Sequence, residues 1–264
     1  MRRYFLRQVV GQVFGAGSKR IEGFRIKFSC EKSNESNPNK AQVEIYNLSE
    51  STRSMMELKG AKFQLQAGYD GNLESFFFGD ITKVVHKIDG LDVISTLEVR
   101  DGDNKHRNAV INKGYPPNTT LAQVFQDLTQ SFKPLGVVMV GVPKGKFGNG
   151  YTASGLSREV MNTLCKQHDL EWSFQHEVLQ IVPKKGFLLN LPVVVSPATG
   201  LIGSPEKTEK GIQFKTLLNS KLVPGTRIKL ESRLINGIYK IRKVSHEGDS
   251  HQGDFISTCD AAIK

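Results

Sequence analysis

Hydrophobic and polar residues alternate over residues 24–100, and a period of two is typical of half-buried β-strands. Two Asp-Gly pairs, Asp70-Gly71 and Asp89-Gly90, interrupt the alternation where hairpin turns are expected. Ser49 or Ser51 is a suitable N-cap for a short helix between two of the strands. The pattern predicts strands at residues 24–31, 41–46, 63–69, 75–89 and 91–100 and a helix at 49–58. These elements indicate a small antiparallel barrel or sandwich with one helix.

Helical spacing replaces the alternation after Pro116-Pro117. Thr120 and Gln123 form a predicted capping box, and apolar residues then recur every three to four positions. A glycine-rich loop at 141–155 precedes a second predicted helix, which a hairpin turning at 175–177 follows. Residues 115–186 are therefore predicted to form a small α/β module.

Strand-like alternation returns from Leu188 onward, with predicted strands at 212–217, 227–231, 237–246 and 255–261. The sequence thus predicts a mainly β fold with an α+β insert, in which two antiparallel β-barrels flank a small α/β module. Three domains follow from this division: an N-terminal arm and first barrel at 1–114, the insertion module at 115–186, and a second barrel at 187–264.

Composition excludes several classes of protein. With 264 residues and 38% hydrophobic residues, the chain can form a substantial core. No stretch has the roughly 18 apolar residues of a membrane span, so no membrane insertion is expected. Three widely spaced cysteines fit neither a disulfide framework nor a zinc site. Polar residues interrupt the apolar part of the N-terminus, which argues against a signal peptide and favours synthesis in a reducing cytoplasm.

The net charge of +10 is concentrated in two segments, residues 1–27 and 205–243. In the second, charges alternate with aliphatic residues, which places them on one face of a sheet. A solvated strand face explains this simply; an acidic partner or DNA is the alternative. No zinc-finger or RNA-recognition motif accompanies the charge, so sequence-specific nucleic-acid binding is not predicted. The candidate partner-interface residues are Arg2, Arg3, Arg7, Lys19, Arg20, Arg227, Lys229, Lys240 and Arg242.

Candidate chemistry is sparse. Residues 15–19 lack the spacing of a phosphate-binding loop and are predicted to be a flexible arm. Cys165 and His168 suit the edge of a core better than a nucleophile–base pair. The remaining groups considered are a possible metal cluster (His246, Asp249, His251, Asp254), better explained as a polar turn, and possible hydrolase carboxylates (Asp169, Glu171, Glu177). No catalytic, cofactor-binding or metal-binding residue is predicted.

Three segments together resemble a known family. They are residues 200–219, the stretch from Leu222-Val223-Pro224-Gly225 through 237–249, and residues 170–183. Their order is similar to that of the baseplate hub proteins of long-tailed bacteriophages, especially contractile-tailed ones. The resemblance is best over residues 115–264, and it brings no catalytic motif.

The resemblance implies two tail-tube-like barrels and a ring of three copies, a homotrimer with pseudo-sixfold symmetry. Such a ring would join the tail tube protein to the central spike protein and contact baseplate wedge proteins. The tape-measure protein and then DNA would pass through its channel during genome ejection. The polar loop 31–40 and the loop 141–155 become candidates for ordering on assembly.

The resulting hypothesis is a structural, non-enzymatic hub in the tail baseplate of a virion. The alternatives are a hub-associated peptidoglycan hydrolase and a basic DNA-binding structural protein.

Overall fold

The computed structural model describes residues 6–188 and 191–263. The elements up to residue 115 are β1 (Arg7–Phe14), β2 (Ser18–Ile21), β3 (Ile26–Ser33), β4 (Lys40–Tyr46), α1 (Glu50–Met56), β5 (Lys62–Tyr69), β6 (Asn72–Asp89), β7 (Asp92–Arg100), α2 (Asp103–Asn108) and β8 (Val110–Tyr115). The next are β9 (Thr119–Thr120), α3 (Leu121–Ser131), β10 (Gly136–Met139), β11 (Lys146–Phe147), β12 (Tyr151–Leu156), α4 (Ser157–Gln167), β13 (Leu170–Gln175) and β14 (Val178–Pro183). The last are β15 (Val193–Val195), a 3₁₀ turn (Pro197–Thr199), β16 (Leu201–Thr208), β17 (Gly211–Leu217), β18 (Arg227–Glu231), β19 (Asn236–Asp249) and β20 (Phe255–Ile263).

Local signals predicted most of these elements correctly. The Thr120 hydroxyl accepts a hydrogen bond from the Gln123 amide, and the Gln123 side chain accepts one from the Thr120 amide, which completes the capping box of α3. The hairpin between β13 and β14 turns at His176 and Glu177, both with positive φ, as a type I′ turn requires. Ser49 occupies the N-cap position of α1. None of the helices in the described ranges has the length and apolar character of a membrane span.

The chain forms two compact units. Among the described residues, the first contains 6–33, 39–101 and 191–263, and the second contains 34–38 and 102–188. The predicted boundaries after residues 114 and 186 stay a prediction.

The first unit is built on one sheet of thirteen strands, and the mainly β class is confirmed. Its main order is β16-β17-β20-β19-β3-β4-β7-β6-β5-β1-β2, while β15 and β18 join at β19. The antiparallel pairing of β3 with β19, from Lys27↔Asp249 to Ser33↔Lys243, connects the N-terminal and C-terminal strands. Over the described strands this path does not return on itself, so two separate closed barrels are not confirmed.

Two hydrophobic cores lie in this unit. The first comes mainly from β1–β7 and includes Phe63, Phe76 and Phe77. The second comes from β15–β20 and includes Phe214 and Ile241. Each β region therefore has a core of its own, although the two regions share a sheet.

The predicted flexible arm at residues 15–19 was wrong. β1 and β2 form a hairpin there, and the Gly15 amide donates a hydrogen bond of 2.8 Å to the Gly17 carbonyl inside its turn. β1 also pairs with β5 along its whole length. Val9 and Val10 are both buried, so this strand is covered on both faces and shows no alternation to detect.

The second unit combines α2, α3 and α4 with a three-stranded sheet, β10-β14-β13, and the short pairs β8–β12 and β9–β11. Its core includes Phe125, Leu164 and Trp172. The predicted glycine-rich loop at 141–155 was partly wrong, because β11 and most of β12 lie within it. Of the polar loop 31–40, residues 34–38 belong to this unit, and the Asn34 side chain donates a hydrogen bond of 3.2 Å to Glu171.

Lys32 in β3 is expected to make the free energy of unfolding depend on pH. Its side chain is buried, and burial lowers the pKa of its ammonium group to about 8, although the nearby Cys30 and Asp101 act in the opposite direction. Between pH 8 and the ordinary lysine pKa the unfolded chain binds the extra proton, so the free energy of unfolding rises with pH. We expect wild type to gain about 1 kcal/mol over Lys32→Met between pH 7 and pH 9.

Urea unfolding at the two pH values measures this difference. The matched control is Lys40→Met, because Lys40 is exposed on the adjacent strand. Its difference from wild type should not change with pH, and an equally flat Lys32→Met difference would contradict the prediction. Burial raises the pKa of the folded Cys30 thiol to about 12, so ionisation of Cys30 in the unfolded chain also affects stability in this range, but wild type and both variants contain Cys30 and this contribution cancels from the differences.

Candidate functional site

The three carboxylates considered for hydrolysis have three different partners. Glu177 is buried, and its Oε2 lies 2.5 Å from Lys105 Nζ. Glu171 accepts the hydrogen bond from Asn34, and Asp169 is exposed with its carboxylate 3.9 Å from Lys184. A general acid and a nucleophile must face the same bond. This arrangement therefore does not support glycoside hydrolysis.

The cysteine–histidine alternative also fails. Cys165 is buried in α4, and burial raises the pKa of its thiol to about 12. A catalytic cysteine needs the opposite shift, because the thiolate is the nucleophile. His168 forms the C-cap of α4, and β13 begins two residues later at Leu170. Cys165 is thus a core residue, as the sequence indicated.

The polar residues near the β19–β20 turn act in structure rather than in metal binding. Burial favours a higher pKa for Asp249, but the Arg25 guanidinium, 2.8 Å away, and the His251 amide lower it overall. His246 is buried, with its Nδ1 2.8 Å from the Ser257 hydroxyl. Within residues 6–188 and 191–263, no group of three or more potential ligands could hold a metal ion.

The N-terminal basic residues are mostly used within the chain. Arg2 and Arg3 lie outside the described residues. Arg7 donates a hydrogen bond of 2.6 Å to the Gly253 carbonyl, and its guanidinium lies over the Phe255 ring. Arg20 pairs with Glu22 at 2.7 Å, and Lys19 Nζ lies 3.4 Å from the Ser49 hydroxyl. Of the three described residues, Arg20 is therefore paired with an acid, and Arg7 and Lys19 contact neutral groups of the fold.

The C-terminal basic residues occupy different environments. Lys229 is exposed and pairs with Glu231 at 2.7 Å, and Arg227 is half-buried. Lys240 is only 6% exposed, which corrects its place on an exposed basic face. It lies on a central strand between Arg227 of β18 and Ala262 of β20. Arg242 is exposed, and it has no ion-pair partner in the ranges that the structure describes.

Aliphatic side chains accompany these charges. Val194 of β15, Lys229 of β18 and Ile238 of β19 are aligned by strand register in one row. Val194 is 42% exposed and Ile238 is 40% exposed. This surface is thus both basic and apolar. We call it the C-terminal basic face, defined by Val194, Arg227, Lys229, Ile238 and Arg242.

A groove of about 360 Å³ crosses β3, β4 and β7. Opposite charges are paired along it: Glu31 lies 3.5 Å from Lys40 and 3.3 Å from Lys243, and Glu98 lies 3.5 Å from Lys83. The groove is therefore polar but nearly balanced in charge. Ser29, Gln42 and Arg100 also line it.

One exposed apolar feature was not predicted from the sequence. Leu135, Val137, Val138 and Met139, in and just before β10, are 38–68% exposed. The signal was present in the sequence as a run of aliphatic residues without charge.

Comparisons with known proteins agree on one class. A family model described as "Baseplate hub gp41" matches residues 8–261. A solved 43 kDa tail protein of prophage MuSo2 from Shewanella oneidensis is 10% identical, with a TM-score of 0.69 over 98% of this chain and 97% of that one. A tail protein from Neisseria meningitidis MC58 is 9% identical, with a TM-score of 0.70 over 97% of each chain.

A third similar structure is a component of a secretion system. The E. coli c3393 protein, a type VI secretion component described as similar to the T4 tail proteins gp27 and gp5, is 12% identical. Its TM-score is 0.62 over 91% of this chain and 73% of that one. No curated protein sequence matches the chain.

Proposed function

The chain belongs to the baseplate hub gp41 family, and from that premise we propose that it forms the ring connecting the tail tube to the central spike. It is a structural, non-enzymatic component of a phage tail and hence of the virion. The match over residues 8–261, almost the whole chain, carries the proposal. The tail tube protein, central spike protein, wedge proteins and tape-measure protein are its proposed partners, and the host cytoplasm is its proposed site of synthesis.

The two separate cores of the first unit support a pair of tail-tube-like domains, which we place within residues 1–114 and 187–264, flanking the module at 115–186. Two such domains in each of three copies give six similar positions around the ring axis. This number would match a sixfold tube to a threefold spike of a contractile tail. Head-to-tail contacts close such a ring when the rotation between copies sums to a full turn.

The distribution of charge supports separate roles for two surfaces. The groove across β3, β4 and β7 is nearly neutral because its acids and bases are paired, so DNA phosphates would not be retained there. We assign this surface to the channel. The C-terminal basic face carries exposed aliphatic side chains, which suit a protein partner rather than DNA. We assign it to the contact with an acidic neighbour, while Arg2, Arg3, Arg7, Lys19 and Arg20 remain interface candidates at the other end of the chain.

Electron microscopy of purified tails tests the ring directly. The expected result is density with threefold symmetry at the tube–spike junction into which this chain fits. Density for the chain elsewhere in the tail, or a ring without it, would reject the proposal. DNA binding by the isolated chain with a steep salt dependence would favour the DNA-binding alternative.

Arg242→Glu tests the C-terminal basic face. The change reverses one exposed charge and disturbs no ion pair among the described residues, so folding should be unaffected. A carboxylate facing an acidic partner costs enough free energy to lower incorporation into tails about tenfold. Quantitative mass spectrometry of purified tails measures incorporation. Lys59→Glu is the control, because Lys59 is exposed outside both basic segments. Equal incorporation of the two variants would remove Arg242 from the interface.

A further inference from the structure

The strand β10 has one unused edge. It is the outer strand of the sheet β10-β14-β13, and in the described structure it pairs only with β14. The Val140 amide donates a hydrogen bond of 2.9 Å to the Ile181 carbonyl at the end of this pairing. Because N–H groups alternate sides along a strand, those of Val137 and Met139 face away from β14. The edge therefore offers backbone donors and acceptors to another strand.

The side chains of β10 are unusual for an outer strand. Val137, Val138 and Met139 are 39%, 38% and 40% exposed, and the preceding Leu135 is 68% exposed. Successive side chains point to opposite faces of a sheet, so apolar surface is exposed on both faces of the strand. Such an edge is a template for pairing with another chain.

The two outer strands at the ends of the main path of the large sheet, β16 and β2, differ in this respect. β16 contains Pro205 and a register shift between Ile202 and Glu206, and β2 has only four residues, among them Lys19 and Arg20. Proline, bulges, short length and basic side chains are the features that prevent edge pairing. β10 is as short as β2, with four residues from Gly136 to Met139, but it contains no proline, bulge or basic side chain.

Charge around β10 identifies the chemistry of the occupant. From Leu128 to Arg158 the chain has four basic residues and no acidic one. Lys133 precedes β10, and Lys185 follows β14 beside the other end of β10, next to Lys184, which lies 3.9 Å from the Asp169 carboxylate. A second copy would bring the same lysines together, and the whole chain carries +10. The complementary occupant is a segment with aliphatic residues and flanking carboxylates from a different protein.

We propose that β10 is a docking strand: an extended, acidic and aliphatic segment of another tail protein adds to its open edge and extends the sheet. This inference rests on the proposed function only in placing the partner within the tail. Backbone hydrogen bonds would supply affinity, the exposed aliphatic side chains would bury against the partner, and the lysines at both ends would set its direction.

Hydrogen–deuterium exchange tests the pairing without knowledge of the partner. The chain is compared in isolation and in purified tails whose content of the chain is first established by mass spectrometry. The amides of Val137 and Met139 are expected to exchange at least about tenfold more slowly in tails. Unchanged exchange in tails that contain the chain would overturn the docking strand and leave the hub proposal standing. Tails without the chain would overturn both.

Two matched variants add a second readout. Val137→Lys places a charge on the open edge, and Ile202→Lys does the same on β16, where Ile202 is also 39% exposed. We expect Val137→Lys to reduce incorporation into tails about tenfold and Ile202→Lys to leave it unchanged. Equal incorporation would count against the docking strand. Protection of β10 in the isolated chain that rises with its concentration would identify a second copy as the occupant and also overturn the proposal.

Discussion

A Glu177→Gln variant is expected to lose about 3 kcal/mol of unfolding free energy in the second unit. Glu177 is 1% exposed, and its carboxylate lies 2.5 Å from Lys105 Nζ. The neutral amide would leave the partly buried Lys105 ammonium without its counter-charge. The free-energy cost of removing this ammonium group from water, which the ion pair now offsets, would then oppose folding. Urea unfolding followed by the fluorescence of Trp172, the single tryptophan and a core residue of this unit, measures the loss.

Two further variants separate this effect from a general effect of losing a carboxylate. Glu171→Gln is the matched control, because Glu171 is only half-buried and its hydrogen bond from Asn34 can persist; its loss should stay below about 1 kcal/mol. Lys105→Met combined with Glu177→Gln should recover part of the loss, since no unpaired charge remains. Wild-type stability of Glu177→Gln would show that the pair contributes nothing.

The burial of Glu177 and its ion pair with Lys105 were not predicted from the sequence. Glu177 lies in a two-residue turn, where an exposed polar side chain is the usual expectation. Its burial depends on Lys105, which is distant in sequence. Local signals, by contrast, were sufficient for the capping box at Thr120 and Gln123 and for the Asp70-Gly71 turn, because every group involved lies within a few residues. The second hairpin turns at Gly90-Leu91, one residue after the predicted Asp89-Gly90.

The pairing of strands that are distant in sequence could not be predicted from the sequence. The β3–β19 pairing joins residues more than two hundred positions apart, and nothing in the alternation of either strand specifies its neighbour. Lys240 shows the same limit for the candidate interface. Its alternation with aliphatic residues indicated exposure, but β18 and β20 flank it on both sides and leave it 6% exposed. The family resemblance supplied the architecture that local patterns lacked.

Gly79→Ala is expected to destabilise the first unit by about 3 kcal/mol. Gly79 lies in β6 just before a register shift against β7, between Ile81 and Lys83. A Cβ atom at this position would lie 2.3 Å from the Arg100 carbonyl oxygen and 2.6 Å from its carbon. These are backbone atoms, so no rotamer change can relieve the clash. β7 cannot simply move away either, because Arg100 also lies opposite Lys40 of β4.

The control is another strand glycine with open space around it. Gly114 in β8 has no atom within 4 Å of its added Cβ, so Gly114→Ala should be neutral or stabilising by up to about 1 kcal/mol. Thermal unfolding by circular dichroism, with hydrogen exchange to localise the change, distinguishes the variants. Loss of protection in β6 and β7 is expected for Gly79→Ala alone. If both variants melt like wild type, the close approach of β6 to the end of β7 does not restrict the side chain at position 79. A loss confined to Gly79→Ala would mean that the shifted register requires glycine for space, since its φ lies outside the left-handed region.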